Sequence, residues 1–282
     1  SIRTMLVHHF LEYYARNTPE LPCLTLGENT SSYGEVNTLS NQIAHGLLAL
    51  GISRGQSIAI LGENSLEHLL LFMAASKIGA VTVSLNYRLA PAELAFIIND
   101  ANSRVLVALD GMEDSLTGLR QQIDDDITVI SHGFADTLSW NEWVSQYPEI
   151  SPNIESDPQD AYIQLYTSGT TGNPKGVVSS HFNMLSLVTM NSVATPHRPS
   201  PGMATILCAP LFHIGGAGSI AYNIFSGIHT LLHRTFDPTK VVADMENHPV
   251  SNIFMVPAMI MAVLQMPDIE QRDFSKLKQI FY

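Results

Sequence analysis

Short apolar runs of strand length alternate along this sequence with segments whose apolar residues recur at helical spacing. The runs fall at residues 57–61, 81–85, 105–109, 127–131, 161–166, 204–208, 228–232, 252–255 and 277–281. Interior strands of parallel sheets are covered on both faces, so they read as continuous apolar segments. The order of the segments therefore predicts an α/β fold with layered, largely parallel sheets covered by helices.

Several residues mark where the intervening helices begin and end. Apolar positions from 36 to 50 have helical spacing and end at Gly51, a residue typical of helix C-caps. Asn64 or Ser65 is predicted to cap a helix that runs to about residue 78. Pro91 fits the first turn of another helix, and Asp237 with the following proline opens a later one.

Length, charge and cysteine content limit the class of protein. A chain of 282 residues can form one large domain or two smaller ones. The net charge of −12, with only 14 Lys and Arg, argues against a nucleic-acid partner or an anionic membrane surface. Two cysteines, without any CxxC spacing, cannot form a disulfide framework, so the predicted location is cytoplasmic.

One long stretch, residues 199–233, contains no Asp, Glu, Lys or Arg. Its apolar part is nearly as long as the roughly 20 residues that a membrane-spanning helix needs. Four glycines, an asparagine and a histidine interrupt that part, and a strand-like run follows the last glycine. We therefore expect a buried helix followed by a buried strand, and no integral membrane segment.

Residues 166–177 read YTSGTTGNPKGV, directly after the alternating apolar stretch 161–165 and before a helix-like segment. Glycines allow the backbone N–H groups to approach an anion closely, while hydroxyl groups and a lysine add donors and a positive charge. The run is not a Walker A loop, which has four residues between its glycines and Ser or Thr after the lysine. It predicts a phosphate-binding loop; the alternative is a solvent-exposed turn.

This run closely resembles the signature phosphate loop of the adenylate-forming superfamily, and further blocks resemble that family in the same order. They read SYGEV at residues 32–36, KIGAV at 77–81 and PLFHIGG at 210–216. The resemblance covers nearly the whole chain and implies a large N-terminal domain with two sheet subdomains. One would comprise residues of about 65–195, and the other residues of about 1–60 together with 200–282.

The resemblance also implies site residues. Residues of the loop would contact the β- and γ-phosphates of ATP, namely Thr167, Ser168, Gly169, Thr170, Thr171, Gly172 and Lys175. Thr170 would act with Mg²⁺ held through ATP. Holding the pyrophosphate and offsetting its charge would then assist attack by a carboxylate on the α-phosphate.

His213 is the predicted catalytic residue, since the resemblance places the histidine of the PLFH block near the acyl carboxylate and the nucleotide phosphate. The predicted substrate-binding residues are His213, Ile214, Gly215, Gly216 and Gly218, which would border an acyl pocket. The alternative for His213 is a core histidine that satisfies its ring nitrogens locally.

These observations favour an acyl-CoA synthetase that uses a small carboxylic acid, ATP and CoA, with a fatty or aryl acid as the favoured substrate. A peptide-synthetase adenylation domain and a noncatalytic nucleotide-binding module are the alternatives. The sequence does not indicate the oligomeric state, and a homodimer is one of the alternatives. The blocks that the family places after the last residue, among them a C-terminal lid domain, are not in this sequence. We therefore expect residues 1–282 alone to be an incomplete and inactive fragment.

Overall fold

The structure, a computed structural model, describes residues 4–167 and 172–282. The strands in chain order are β1 Pro22–Leu26, β2 Asn29–Ser32, β3 Ser57–Leu61, β4 Val81–Leu85, β5 Ser103–Ala108, β6 Thr128–Ser131, β7 Leu138–Ser139, β8 Ala161–Thr167, β9 Lys175–Ser180, β10 Ala204–Leu207, β11 His229–Leu232, β12 Val250–Phe254 and β13 Gln279–Phe281. The helices are α1 His8–Asn17, α2 Tyr33–Ala49, α3 Leu66–Ile78, α4 Pro91–Asp100, α5 Glu113–Arg120, α6 Trp140–Ser145, α7 His181–Ala194, α8 Ile214–Ser226, α9 Pro238–Asn247 and α10 Pro257–Leu264.

The chain divides into two compact units. The first contains residues 1–9, 37–63 and 67–185, and the second contains residues 10–36, 64–66 and 186–282. Residues of about 1–60 were predicted to group with residues 200–282, but residues 1–9 and 37–63 belong to the first unit. The reason is strand pairing, because β3 lies between β4 and β5 in the sheet of the first unit.

The first unit contains a seven-stranded sheet in the order β7-β6-β5-β3-β4-β8-β9. All its pairs are parallel except β8 with β9. An apolar cluster on the sheet joins β3, β4 and β5 to helices α4 and α5, with Leu61, Leu85, Leu94 and Leu106 fully or almost fully buried. The predicted parallel, helix-covered sheet is therefore confirmed for this unit.

Buried histidines are a second feature of the first unit. His8, His68 and His181 are at most 5 % exposed. Burial lowers the pKa of His68 to about 3 and is the main reason that the pKa of His181 falls to about 4. Burial, followed by the charge of Lys77, also holds the pKa of His8 well below its ordinary value. The folded unit thus favours the neutral form of three imidazoles.

The second unit contains a six-stranded sheet in the order β13-β12-β10-β11-β1-β2, and only the β1–β2 pair is antiparallel. One face of this sheet packs against α9 and α10 through an apolar cluster that includes Ile206, Leu231, Val241, Ile253 and Val263. The other face meets α8, which contacts β10 and β11. This second face carries the cavity described below.

Two expectations for elements had different outcomes. Residues 166–177 were expected to precede a helix, and α7 does follow from His181, but the unpredicted strand β9 begins at Lys175 and comes before it. The uncharged stretch 199–233 forms β10, α8 and β11, as expected of a buried helix and strand. None of the helices in the described ranges has the length and apolar character that spanning a bilayer requires.

Candidate functional site

The predicted phosphate loop is the turn of the β8–β9 hairpin in the first unit. Thr167 ends β8 and stands directly opposite Lys175, the first residue of β9. Both residues are exposed. The predicted contacts at Ser168, Gly169, Thr170 and Thr171, including the Mg²⁺-associated threonine, lie outside the described residues.

The described part of this loop has room for an anion. Gly172 has φ +141°, a conformation that side chains disfavour. Apart from its chain neighbours, no atom of the described residues lies within 4 Å of where its Cβ would stand. Among residues 4–167 and 172–282, none forms a hydrogen bond or an ion pair with the Lys175 ammonium. Gly176 differs, because a Cβ there would overlap the Gln164 side chain and approach the Tyr166 ring. Gly176 therefore serves packing rather than binding.

In the second unit, a tight turn leads from β10 into α8 and positions His213. The His213 N–H donates to the Pro210 carbonyl at 3.1 Å, and the His213 carbonyl accepts from Ala217 N–H at 2.9 Å. His213 occupies the N-cap position of α8 and is exposed. Because its side chain is exposed, His213 is not a core histidine.

Asn64 holds this turn in place, and the sequence did not reveal that role. Its amide nitrogen donates to the carbonyls of Ala209 and His233 at 3.0 and 3.1 Å, and its Oδ1 accepts from Leu211 N–H at 2.9 Å. The sequence instead predicted Asn64 or Ser65 as a helix cap. A polar residue between a strand and a helix is typical of a cap, and only tertiary structure distinguishes the two roles.

The glycines of the PLFHIGG block have different tasks. A Cβ at Gly216 would overlap the carbonyl of Pro210, so this position has no space for a side chain. A Cβ at Gly215 would stand 3.2 Å from the Phe254 ring, and one at Gly218 would stand 3.4 Å from Leu187 Cδ2. Gly216 thus allows the turn to pack against the start of α8, whereas Gly215 and Gly218 border open space.

That open space is a cavity of about 360 Å³ between α8 and the sheet. Among the predicted substrate-binding residues, Ile214, Gly215 and Gly218 line it, while His213 and Gly216 do not. Its size falls in the usual range for small-molecule sites, roughly 300–1,000 Å³. None of the described residues that line it is charged.

The rest of the cavity wall consists of residues that were not predicted from the sequence. On the sheet side, Leu207, Phe254 and Phe281 stand near the carboxyl ends of β10, β12 and β13. Ligands of open α/β sheets bind at this end of the strands. An aromatic residue or a leucine at the end of each strand could have indicated these cavity residues. In the sequence, however, such residues cannot be distinguished from ordinary core residues.

Comparison with known proteins identifies the group to which this chain belongs. The model of the AMP-binding enzyme family matches residues 11–282. The chain belongs to the AMP-binding enzyme family. This is the group that the resemblance had indicated, so that prediction is confirmed.

Curated members of the AMP-binding enzyme family include a long-chain-fatty-acid–CoA ligase, FadD13, from Mycobacterium tuberculosis. It is 32 % identical over 242 residues, which cover 86 % of this chain and 47 % of FadD13. A 4-coumarate–CoA ligase of Pinus taeda is 30 % identical, over 92 % of this chain and 49 % of its own length. The chain spans about half the length of the curated relatives it matches.

Solved structures of AMP-binding enzymes share the fold. The N-terminal domain of FACL13 from Mycobacterium tuberculosis, in an inhibitor-bound crystal structure, superposes with a TM-score of 0.89 at 29 % identity. The match covers 98 % of this chain and 69 % of that one. Anthranilate CoA ligase AuaEII in complex with anthranoyl-AMP gives a TM-score of 0.91 at 22 % identity, covering 99 % and 55 % of the two chains, which supports the fold alone. The predicted fold class is thereby confirmed.

Proposed function

We propose that the protein carrying this chain activates a carboxylic acid with ATP to an acyl-adenylate and then transfers the acyl group to CoA. The observation that carries the proposal is the uncharged cavity beside α8. It accepts an apolar acyl or aryl group, and it borders the turn that presents His213. CoA ligases among the relatives support the same reaction class.

The hairpin turn is proposed to hold the β- and γ-phosphates. Lys175 supplies a positive charge, and the open backbone at Gly172 lets an anion approach. Charge-assisted hydrogen bonds of this type contribute roughly 1.5–3 kcal/mol each. Mg²⁺ would offset charge on the polyphosphate when bound, and Thr170 stays its predicted partner.

At the other reacting group, His213 is proposed to hold the acyl carboxylate in line for attack on the α-phosphate. Its position at the start of α8 adds the positive end of a 13-residue helix to the same place. Orientation of this kind can supply roughly 7–11 kcal/mol of barrier reduction. The role of His213 is therefore to position the acid, and no proton transfer is assigned to it.

The residues that line the cavity argue against the alternative function, that of a peptide-synthetase adenylation domain. An amino-acid substrate carries an ammonium group that needs a carboxylate partner when it is buried. No described residue that lines the cavity is acidic, and the polar side chains there are neutral. A fatty or aryl acid without an amino group matches this wall better.

The test is acid-dependent exchange of pyrophosphate into ATP by the full-length protein, followed by detection of CoA thioesters over a panel of fatty, aryl and amino acids. Exchange with fatty or aryl acids and thioester formation are expected. Exchange with amino acids alone would favour the peptide-synthetase alternative. ATP binding without exchange for any acid would favour the noncatalytic module.

We also propose that residues 1–282 alone do not complete the reaction. The relatives used for comparison are about twice as long as the matched region, with 47 % and 49 % of their lengths covered. Incubation of the purified 282-residue chain with ATP, Mg²⁺, CoA and the acid panel is expected to give no thioester by mass spectrometry. Turnover at rates of order 1 s⁻¹ or more would contradict this proposal.

A further inference from the structure

A row of polar side chains crosses the sheet of the second unit, where neighbouring positions are mostly apolar. Thr205 on β10 stands directly opposite Thr230 on β11 and Asn252 on β12, and Asn252 stands opposite Gln279 on β13. Four adjacent strands therefore each contribute one polar residue at the same level. We call these four residues the polar row.

The polar row lies on the cavity face of the sheet. Successive side chains of a strand point to opposite faces, and the neighbours Ile206, Leu231 and Ile253 belong to the apolar cluster under α9 and α10. Thr205 and Asn252 line the cavity directly. Thr205, Thr230 and Asn252 are at most 6 % exposed. These are interior polar groups rather than a solvated surface.

Helix α8 places an amide opposite the row. Asn223 lines the cavity, is 4 % exposed, and donates from Nδ2 to Thr230 Oγ1 at 3.0 Å. Within the described part of the chain, its Oδ1 has no hydrogen-bond donor. The direction of the amide is assigned from this network, and the opposite assignment leaves an N–H donor unused instead.

Two further polar atoms of the second unit, one on the polar row and one on α8, also lack a hydrogen-bond partner among the described residues. Gln279 Oε1 and the Tyr222 hydroxyl are buried and find no partner among the described residues. Thr205 Oγ1 donates to the Asn252 carbonyl at 2.7 Å and keeps its acceptor capacity. Because buried polar groups are normally satisfied, these groups favour a ligand that brings a polar group to the adjoining part of the cavity.

An apolar zone separates the row from the reacting end. Leu207, Phe254 and Phe281 each follow a row residue by two positions on the same face, so they lie about 7 Å closer to the carboxyl ends of the strands. At that end, Ile214 is 51 % exposed and marks the opening. A ligand entering there meets apolar walls first and polar groups deeper inside.

We infer that the cavity selects a carboxylic acid with an apolar spacer and a hydrogen-bonding group, such as a hydroxyl, at the end distant from the carboxylate. This inference rests on the proposed function for the identity of the reacting end. The distal group would exchange hydrogen bonds with Asn223 Oδ1 and Thr205 Oγ1. The Asn252 side chain is already paired, since its Oδ1 accepts from Ser251 Oγ and its Nδ2 donates to the His197 carbonyl. An unsubstituted alkyl acid of equal length leaves those groups unpaired, which is costly in a buried site.

The experiment compares decanoic acid with omega-hydroxydecanoic acid on the full-length protein. Pyrophosphate exchange gives kcat/KM for each acid, and titration calorimetry gives their dissociation constants. We expect the hydroxy acid to be preferred by about tenfold or more in both measurements. Asn223→Leu should abolish most of the preference by weakening the hydroxy acid and sparing the alkyl acid. Thr205→Val should lower the preference independently, in case Asn223→Leu does not fold.

Thr25→Val is the matched control, because it removes a hydroxyl from the same sheet at a position that does not line the cavity. It should leave the preference unchanged. Equal or better use of decanoic acid by the unaltered protein would overturn the inference and leave the proposed function intact. A calorimetric preference without exchange would support the inference about the cavity and contradict the proposed reaction. If the protein shows no preference in calorimetry and no exchange with any acid, both the inference and the proposed function are overturned.

Discussion

At the scale of single residues, Lys175 gives the first prediction. Lys175→Ala should weaken ATP binding by the full-length protein by roughly 1.5–3 kcal/mol, since a charged hydrogen-bond donor is lost. Its side chain is exposed, so stability should change little. Titration calorimetry with ATP measures the effect. Lys240→Ala, which removes an exposed lysine in the other unit, is the control. Equal affinities for Lys175→Ala and the unaltered protein would refute the phosphate-binding role.

His213 gives the second prediction at this scale. His213→Ala should lower acid-dependent pyrophosphate exchange while the melting temperature stays nearly constant, because the side chain is exposed at the start of α8. Calorimetric melting and exchange assays of the same preparation separate the two effects. His45→Ala, which removes one hydrogen bond to the Ile150 carbonyl, is the control for loss of an imidazole. A large drop in melting temperature with normal exchange would assign His213 to structure.

How far the sequence predicts single site residues depends on whether their role is local. Lys175 and Gly172 could be selected because their chemistry follows from residue type and from neighbours in the chain. The role of Asn64 could not, since its partners Ala209, Leu211 and His233 are more than a hundred residues away. Thr205 and Asn252 were inside predicted strands, but only strand pairing shows that they are adjacent.

At the scale of an element, the start of α8 depends on Gly216. Gly216→Ala should lower the free energy of unfolding by about 1–3 kcal/mol, because the new Cβ would overlap the Pro210 carbonyl and the turn would have to shift. Gly218→Ala is the matched control, since its Cβ would meet Leu187 Cδ2 at an ordinary 3.4 Å. Urea unfolding of the two variants measures the difference. Equal stabilities would mean that the turn adapts at no cost.

The same scale shows which elements a sequence reveals. Strands β3 and β4 have the predicted bounds, because each is a short, largely apolar run whose residues are all buried. Strand β9 was missed, since Lys175–Ser180 is mostly exposed and has only two hydrophobic residues, Val177 and Val178. Its place in the sheet comes from antiparallel pairing with β8. A run of hydroxyls and glycines does not predict such pairing by itself.

At the scale of the whole molecule, the buried histidines predict loss of stability in mild acid. The folded pKa values of His68 and His181, about 3 and about 4, lie below the ordinary value of 6.5. The unfolded chain therefore binds protons first as the pH falls. Stability is complete above about pH 6.5 and declines down to the folded pKa values, by on the order of 2 kcal/mol per histidine at pH 5.

Urea unfolding at pH 7 and pH 5 measures this decline. His68→Leu should reduce it, because the variant no longer gains a proton on unfolding at that position. Unequal melting of the two units would complicate a single free energy, so fluorescence and circular dichroism should be recorded together. A free energy of unfolding that stays constant between the two pH values would contradict the assignment of neutral, buried imidazoles.

The polar row has a consequence for how such a protein changes over evolutionary time. Its members come from four strands between residues 204 and 281, yet they stand side by side. One member, Thr230, is paired with Asn223 on α8, and both side chains are buried. Replacing only one of these two by an apolar residue leaves the other without this hydrogen bond, at a cost of roughly 1–3 kcal/mol. Descendants of this sequence should therefore keep or lose Thr230 and Asn223 together, and acid preference should shift in jumps.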